Sequence, residues 1–72
     1  MRDEKIVIEL GTFDPKGAFE MAQKRLDPDG LDPDYPYVTI ELVRTEYLYT
    51  HRGKYEGTSS WRFTFRAEWM DV

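Results

Sequence analysis

Seventy-two residues with no cysteine, one histidine and a formal net charge of -4 leave room for one domain, and they exclude a disulfide framework and a thiolate metal site. A chain this short buries too little of its surface to be comfortable alone, so the staple left to it is association with another chain. No apolar run reaches bilayer-spanning length and no signal-peptide core follows Met1-Arg2-Asp3-Glu4-Lys5, which predicts a cytoplasmic protein without membrane contact.

After a charged start expected to fray, Lys5 to Leu10 places Ile6, Ile8 and Leu10 on one side and Val7 and Glu9 on the other, the period of a short strand. Gly11 and Thr12 end it. Phe13-Asp14-Pro15 then reads as a helix start, with Asp14 as N-cap, Pro15 at the first helical position and Phe13 placed to staple onto Ala18 or Phe19. The helix is expected to run to about Leu26. Ala18, Phe19, Ala22 and Leu26 recur at spacings of three and four and form the stripe that faces a sheet, while Met21 and Arg25 lie at its margins. Gly17 weakens the first turn, and a helix of three turns needs the sheet beneath it.

Leu-Asp-Pro-Asp occurs twice in succession, at 26–29 and 31–34, around Gly30. Each proline biases the aspartate before it away from helix, so the helix stops near Leu26 or Asp27, and the connection is stiff and acidic. It is expected to pin Leu31 and Tyr35 to the domain. Asp27, Asp29, Asp32 and Asp34 offer hard oxygen ligands, but the calcium-loop order fails, because Leu31 stands at the third ligand position and Asp32 where glycine is required. No metal site is expected here, and one histidine does not make a structural zinc site.

The stretch from Tyr37 to Met70 carries the sheet. In its second half Trp61, Phe63, Phe65, Ala67 and Trp69 alternate with Arg62, Thr64, Arg66, Glu68 and Met70, a half-buried strand with an aromatic inner face. In its first half Val38, Ile40 and Leu42 share a face, and then the pattern breaks. Strict alternation would turn Arg44 and Glu46 inward. One extra residue between Val43 and Thr45, a β-bulge, would spare the core those charges and bring Tyr47 and Tyr49 onto the face of Val38. The alternative is a sheet covered on both faces, by the helix and by a second subunit. His51 to Gly57 reads as the reversal, with Gly53 and Gly57 offered for positive φ.

The expected class is therefore α+β: a two-layer β-α-β-β domain with a three-stranded, mainly antiparallel sheet and one helix on one face. Strand order is either 1-3-2, or the last strand extends the edge beyond the second. Either order leaves the second face partly uncovered and the edges exposed.

For function, His51 stands at the presumed turn with Ser59 and Ser60 nearby, yet no nucleophile arrangement accompanies it, and the chain is not expected to be an enzyme. Gly11, Gly17 and Gly30 match no phosphate-binding fingerprint, so no cofactor is called for. In element order and length the chain is similar to the flavin-storing dodecins, with a shorter helix and an added proline-aspartate connection. That likeness keeps a planar ligand stacked on Trp61 or Trp69 as one alternative. Single-stranded nucleic acid on Arg44, Arg52, Lys54, Arg62 and Arg66, with Tyr47, Tyr49 and Tyr55 as platforms, is another. Against it, residues 1 to 34 hold nine acidic and five basic side chains and residues 35 to 72 five of each, and Glu68 and Glu41 suit cross-strand ion pairs better than a phosphate track.

The reading with most support is protein association: a self-assembling homo-oligomer, or an adaptor or inhibitor gripping one protein partner. Its candidate contact residues are Arg44, Tyr47, Tyr49, Arg62, Thr64 and Arg66 on the sheet face away from the helix. A second device is Asp27, Asp29, Asp32 and Asp34 on the loop, facing a basic partner or imitating phosphate charge as a phage-type inhibitor of a nucleic-acid enzyme would.

Overall fold

The computed structural model describes residues 2–33, 35–52 and 56–70. Strand β1 (Arg2–Leu10) leads to helix α1 (Pro15–Leu26), a short 3₁₀ turn (Tyr35–Tyr37) and the long strands β2 (Val38–Arg52) and β3 (Glu56–Trp69). The sheet order is β1-β3-β2, with both neighbours antiparallel to the central strand. This is the two-layer α+β arrangement expected, and of the two strand orders it selects 1-3-2.

β3 is central because it carries the core. Phe63, Phe65, Ala67 and Trp69 are buried, flanked in register by Ile8, Ile6, Glu4 and Arg2 of β1. Ala18 and Ala22 bring the helix down onto them with no measurable exposure, and Phe19 sets its ring edge-to-face on Phe65 at 6.0 Å between centroids. Alanine at the two closest positions lets helix and sheet approach, and each buried phenylalanine contributes on the order of 1.5–3 kcal/mol of apolar burial. β1 begins earlier than its apolar alternation implies. Arg2, Asp3 and Glu4 are paired strand residues opposite Trp69, Glu68 and Ala67, because the Arg2 guanidinium lies 4.0 Å over the Trp69 ring and gives the charged end a reason to stay.

The helix start follows its sequence signals. Asp14 Oδ1 accepts the Gly17 N–H at 2.9 Å, with Pro15 in the first turn, and Asp27 closes the other end by donating to Gln23 O at 3.0 Å before Pro28 stops the chain. The structure also gives Gly17 a role: a Cβ there would land on the Asp14 carboxylate. Gly17→Ala, which in an ordinary helix interior stabilises by about 1 kcal/mol, should here displace a cap of similar value. The expected result is no gain in melting temperature, and a rise of several degrees would show that Asp14 keeps its cap. The Phe13 ring reaches the sheet, 4.9 Å from Trp61 and 5.9 Å from Phe63.

The register between β2 and β3 slips between Leu42 and Arg44, so Val43 is the extra residue. Before the slip Leu42 stands opposite Phe65; after it Arg44 stands opposite Thr64 and Tyr47 opposite Trp61. This is the bulge expected from the broken alternation, and it returns Thr45, Tyr47 and Tyr49 to the helix side while Arg44 and Glu46 point away. The strands take in both ends of the expected reversal, since β2 continues to Arg52 and β3 starts at Glu56, and residues 53–55 lie outside the described residues. Gly57 is a strand residue opposite His51. It is small because a Cβ would occupy the Tyr49 ring that lies over it.

The connection after the helix is tied by its own backbone. Asp27 Oδ1 accepts the Asp32 N–H at 3.1 Å, Tyr35 N–H donates to Asp32 O at 3.2 Å, and Gly30 takes φ 69°, which suits glycine. Leu31, expected to be pinned to the domain, is 82% exposed, while Tyr35 is half-buried.

Candidate functional site

The strands differ in length, and the difference makes the surface of interest. β1 pairs with β3 only from Trp61 to Trp69, so beyond the row Leu10–Trp61–Tyr47 the β2–β3 hairpin continues without a third strand. The molecule measures 55 × 22 × 16 Å, and its radius of gyration of 15.1 Å exceeds the roughly 11 Å of a compact chain this long. An antiparallel ribbon of two strands is at best marginally stable by itself in water.

On the helix side, at the base of this arm, Phe13, Tyr47 and Trp61 form one cluster. Phe13 and Tyr47 each meet the Trp61 ring edge-to-face, at 4.9 and 5.1 Å, and Tyr49 follows on the same face. Phe13, Tyr47 and Tyr49 remain 60%, 56% and 59% exposed. Tyr47 and Tyr49 therefore lie on the face opposite Arg62, Thr64 and Arg66. Their expected place beside the arginines is corrected by the bulge, which reverses their facing. Neither 47–50 nor 57–61 contains a charged residue, in a chain of which a third is charged. Edge-to-face packing does not present the parallel slot that a planar ligand needs, since both rings flanking Trp61 turn their planes by 61–65°.

The opposite face is polar and largely self-neutralised. Arg62 Nη2 and Nε both reach Glu9 Oε1 at 2.9 Å, Arg66 lies 3.5 Å from Glu68 and 4.0 Å from Asp3, and Arg44 lies 3.3 Å from Glu46. The three arginines predicted to share a surface do so, together with Thr64. A shallow concavity of about 600 Å³ lies over them, with Val7 and Val43 among its lining. Each arginine is met by a carboxylate, and exposed pairs of this kind contribute about 0–1 kcal/mol apiece. The arrangement is a lattice of alternating sign, unlike the unbroken positive track a phosphate backbone follows.

Among the described residues the loop acids do not converge. Asp27 is engaged with the Asp32 backbone, Asp29 is exposed, Asp34 lies outside the described residues, and among the described residues no three acidic or histidine side chains gather as a metal would need. His51 stands opposite Gly57 in the ladder, with Ser59 and Ser60 opposite Tyr49 and Leu48. Among the described residues no helix is long and apolar enough to cross a membrane.

The two sheet edges are treated differently, a feature the sequence did not announce. Met70 N–H donates to Tyr37 O at 3.0 Å, which fixes the alternation: even-numbered residues of β3 aim their backbone groups at β2 and odd-numbered ones at β1. Val7, opposite Thr64, thus points its carbonyl away from the sheet, and the Arg25 guanidinium takes it at 2.8 Å. β2 has no strand beyond it among the described residues. No known protein family, curated protein or solved structure matches this chain.

Proposed function

We propose that this chain is a non-catalytic protein-association module that assembles with itself, and that the projecting hairpin is its contact element. The observation that carries this reading is the base of the arm, where 47–50 and 57–61 hold no charged side chain and Tyr47 and Tyr49 are more than half exposed, Tyr47 against Trp61. Tyrosine and tryptophan are the residues that most often dominate binding energy at interfaces. A second copy laid against the arm would supply the cover that a third strand and the helix give the rest of the sheet. The ion-paired face and the acidic loop keep such an assembly solvated.

The test is absolute mass by light scattering across a concentration series, with the ultraviolet-visible spectrum recorded alongside. A mass of two or more chains, weakening on dilution, is expected. A single-chain mass at every concentration would overturn self-assembly and turn attention to a different protein as the partner.

A further inference from the structure

We infer that two copies join through the outer edge of β2, antiparallel about a twofold axis at Leu48, so that two three-stranded sheets become one of six. This rests on the self-association reading above and names its surface and register.

The argument begins with the backbone. By the alternation set at Met70 and Tyr37, Arg44, Glu46 and Leu48 aim their amide groups at β3, opposite Thr64, Arg62 and Ser60, while Thr45 and Tyr47 aim theirs at the outer edge. An edge like this is a template for another strand, and natural chains blunt it with lysine, proline or a covering side chain. β1 has such a cover, Arg25 on the Val7 carbonyl. β2 has neither lysine nor proline from Val38 to Arg52, and its aromatic rings lean the other way: Tyr47 onto Trp61 and Tyr49 over Gly57, both toward β3. An incoming strand would meet backbone.

The bulge then selects the register. It interrupts the ladder between Leu42 and Arg44, so the regular part of the edge runs from Arg44 to Arg52, and its midpoint is Leu48. Pairing that whole segment with its copy sets Leu48 against Leu48 of the second chain. The backbone groups of Leu48 face β3, which makes this a non-hydrogen-bonded pair, the kind whose side chains approach most closely. Tyr47 comes opposite the second copy's Tyr49, so the row Trp61–Tyr47 continues across the seam, and Glu46 comes opposite Thr50. Sliding the axis by two residues to Glu46 would set two glutamates face to face, a destabilising arrangement. At the ends position 44 comes opposite position 52, and Arg44 keeps Glu46 at 3.3 Å. The interface is isologous and closes on itself, and Arg25 stays on the β1 edge.

The experiment uses the full chain as wild type, Leu48→Lys, Leu48→Glu and an equimolar mixture of the two variants. Circular dichroism monitors the fold, and light scattering with sedimentation equilibrium gives the assembly state. Wild type is expected to dimerise, and each variant alone to dissociate at least about tenfold more readily. The mixture is expected to restore a dimer containing one chain of each, because only a residue that faces itself across the axis shows that behaviour. A wild-type dimer with both variants equally dimeric would overturn the Leu48 axis and leave self-association standing. Weakened variants without rescue in the mixture would overturn the axis as well. A monomeric wild type would overturn both the inference and the reading it rests on.

Discussion

Replacing Phe65 with alanine should remove most of the molecule's stability. The ring is 1% exposed, sits between Ile6 and Leu42 in the ladder and receives the edge of Phe19 from the helix. Truncating a buried phenylalanine costs about 3–5 kcal/mol through lost transfer energy and the cavity left behind. A chain of this length holds roughly 4–11 kcal/mol in total. The variant is therefore expected to be partly unfolded at 25 °C, with a urea transition displaced far toward water. Phe13→Ala, at a ring 60% exposed, should lose about 1 kcal/mol or less beyond its contact with Trp61. If the two variants melted alike, the core would not be centred on β3 as described.

The second large effect is expected in assembly rather than folding. Tyr47→Ala removes an exposed ring whose contact inside the chain is one edge-to-face pair with Trp61, which contributes about 0.5–1.5 kcal/mol to the fold. At the centre of an interface the same ring contributes about 2 kcal/mol or more, which is roughly thirty-fold in dissociation constant. Dilution series of Tyr47→Ala and Tyr49→Ala should show assembly weakened by at least that factor while the denaturation midpoint of the isolated chain moves little. Arg62→Ala, on the opposite face, should leave assembly nearly unchanged, because that guanidinium is occupied by Glu9. An arginine variant that dissociated the complex while the tyrosine variants did not would place the contact on the charged face instead.

These expectations show which parts of the site were legible in the chain. The bulge was, because a sheet with one buried face cannot turn Arg44 and Glu46 inward without a large desolvation cost, and one extra residue is the smallest remedy. Grouping Tyr47 and Tyr49 with the arginines as one outer surface was wrong for the same reason: the slip that removes the charges from the core carries the tyrosines to the helix side. Phe13 carried a correct helix-start signal, but its contact with Trp61 depends on where β3 lies, which local spacing does not encode.

The amino-acid sequence by itself determined the order of elements, the helix and both of its ends, the inner face of β3 and the need for a slip near Val43. All of these follow from interactions between residues close in the chain: alternation, capping, proline sterics and the cost of burying charge. Only the tertiary structure decided that β3 lies between β1 and β2, that β2 and β3 outrun β1 into an arm, that Arg25 takes the Val7 carbonyl on the β1 edge, and that Gly17 and Gly57 are small to admit Asp14 and Tyr49. Those features set distances between segments far apart in sequence, where the register of whole strands and the packing of the helix fix which side chains meet.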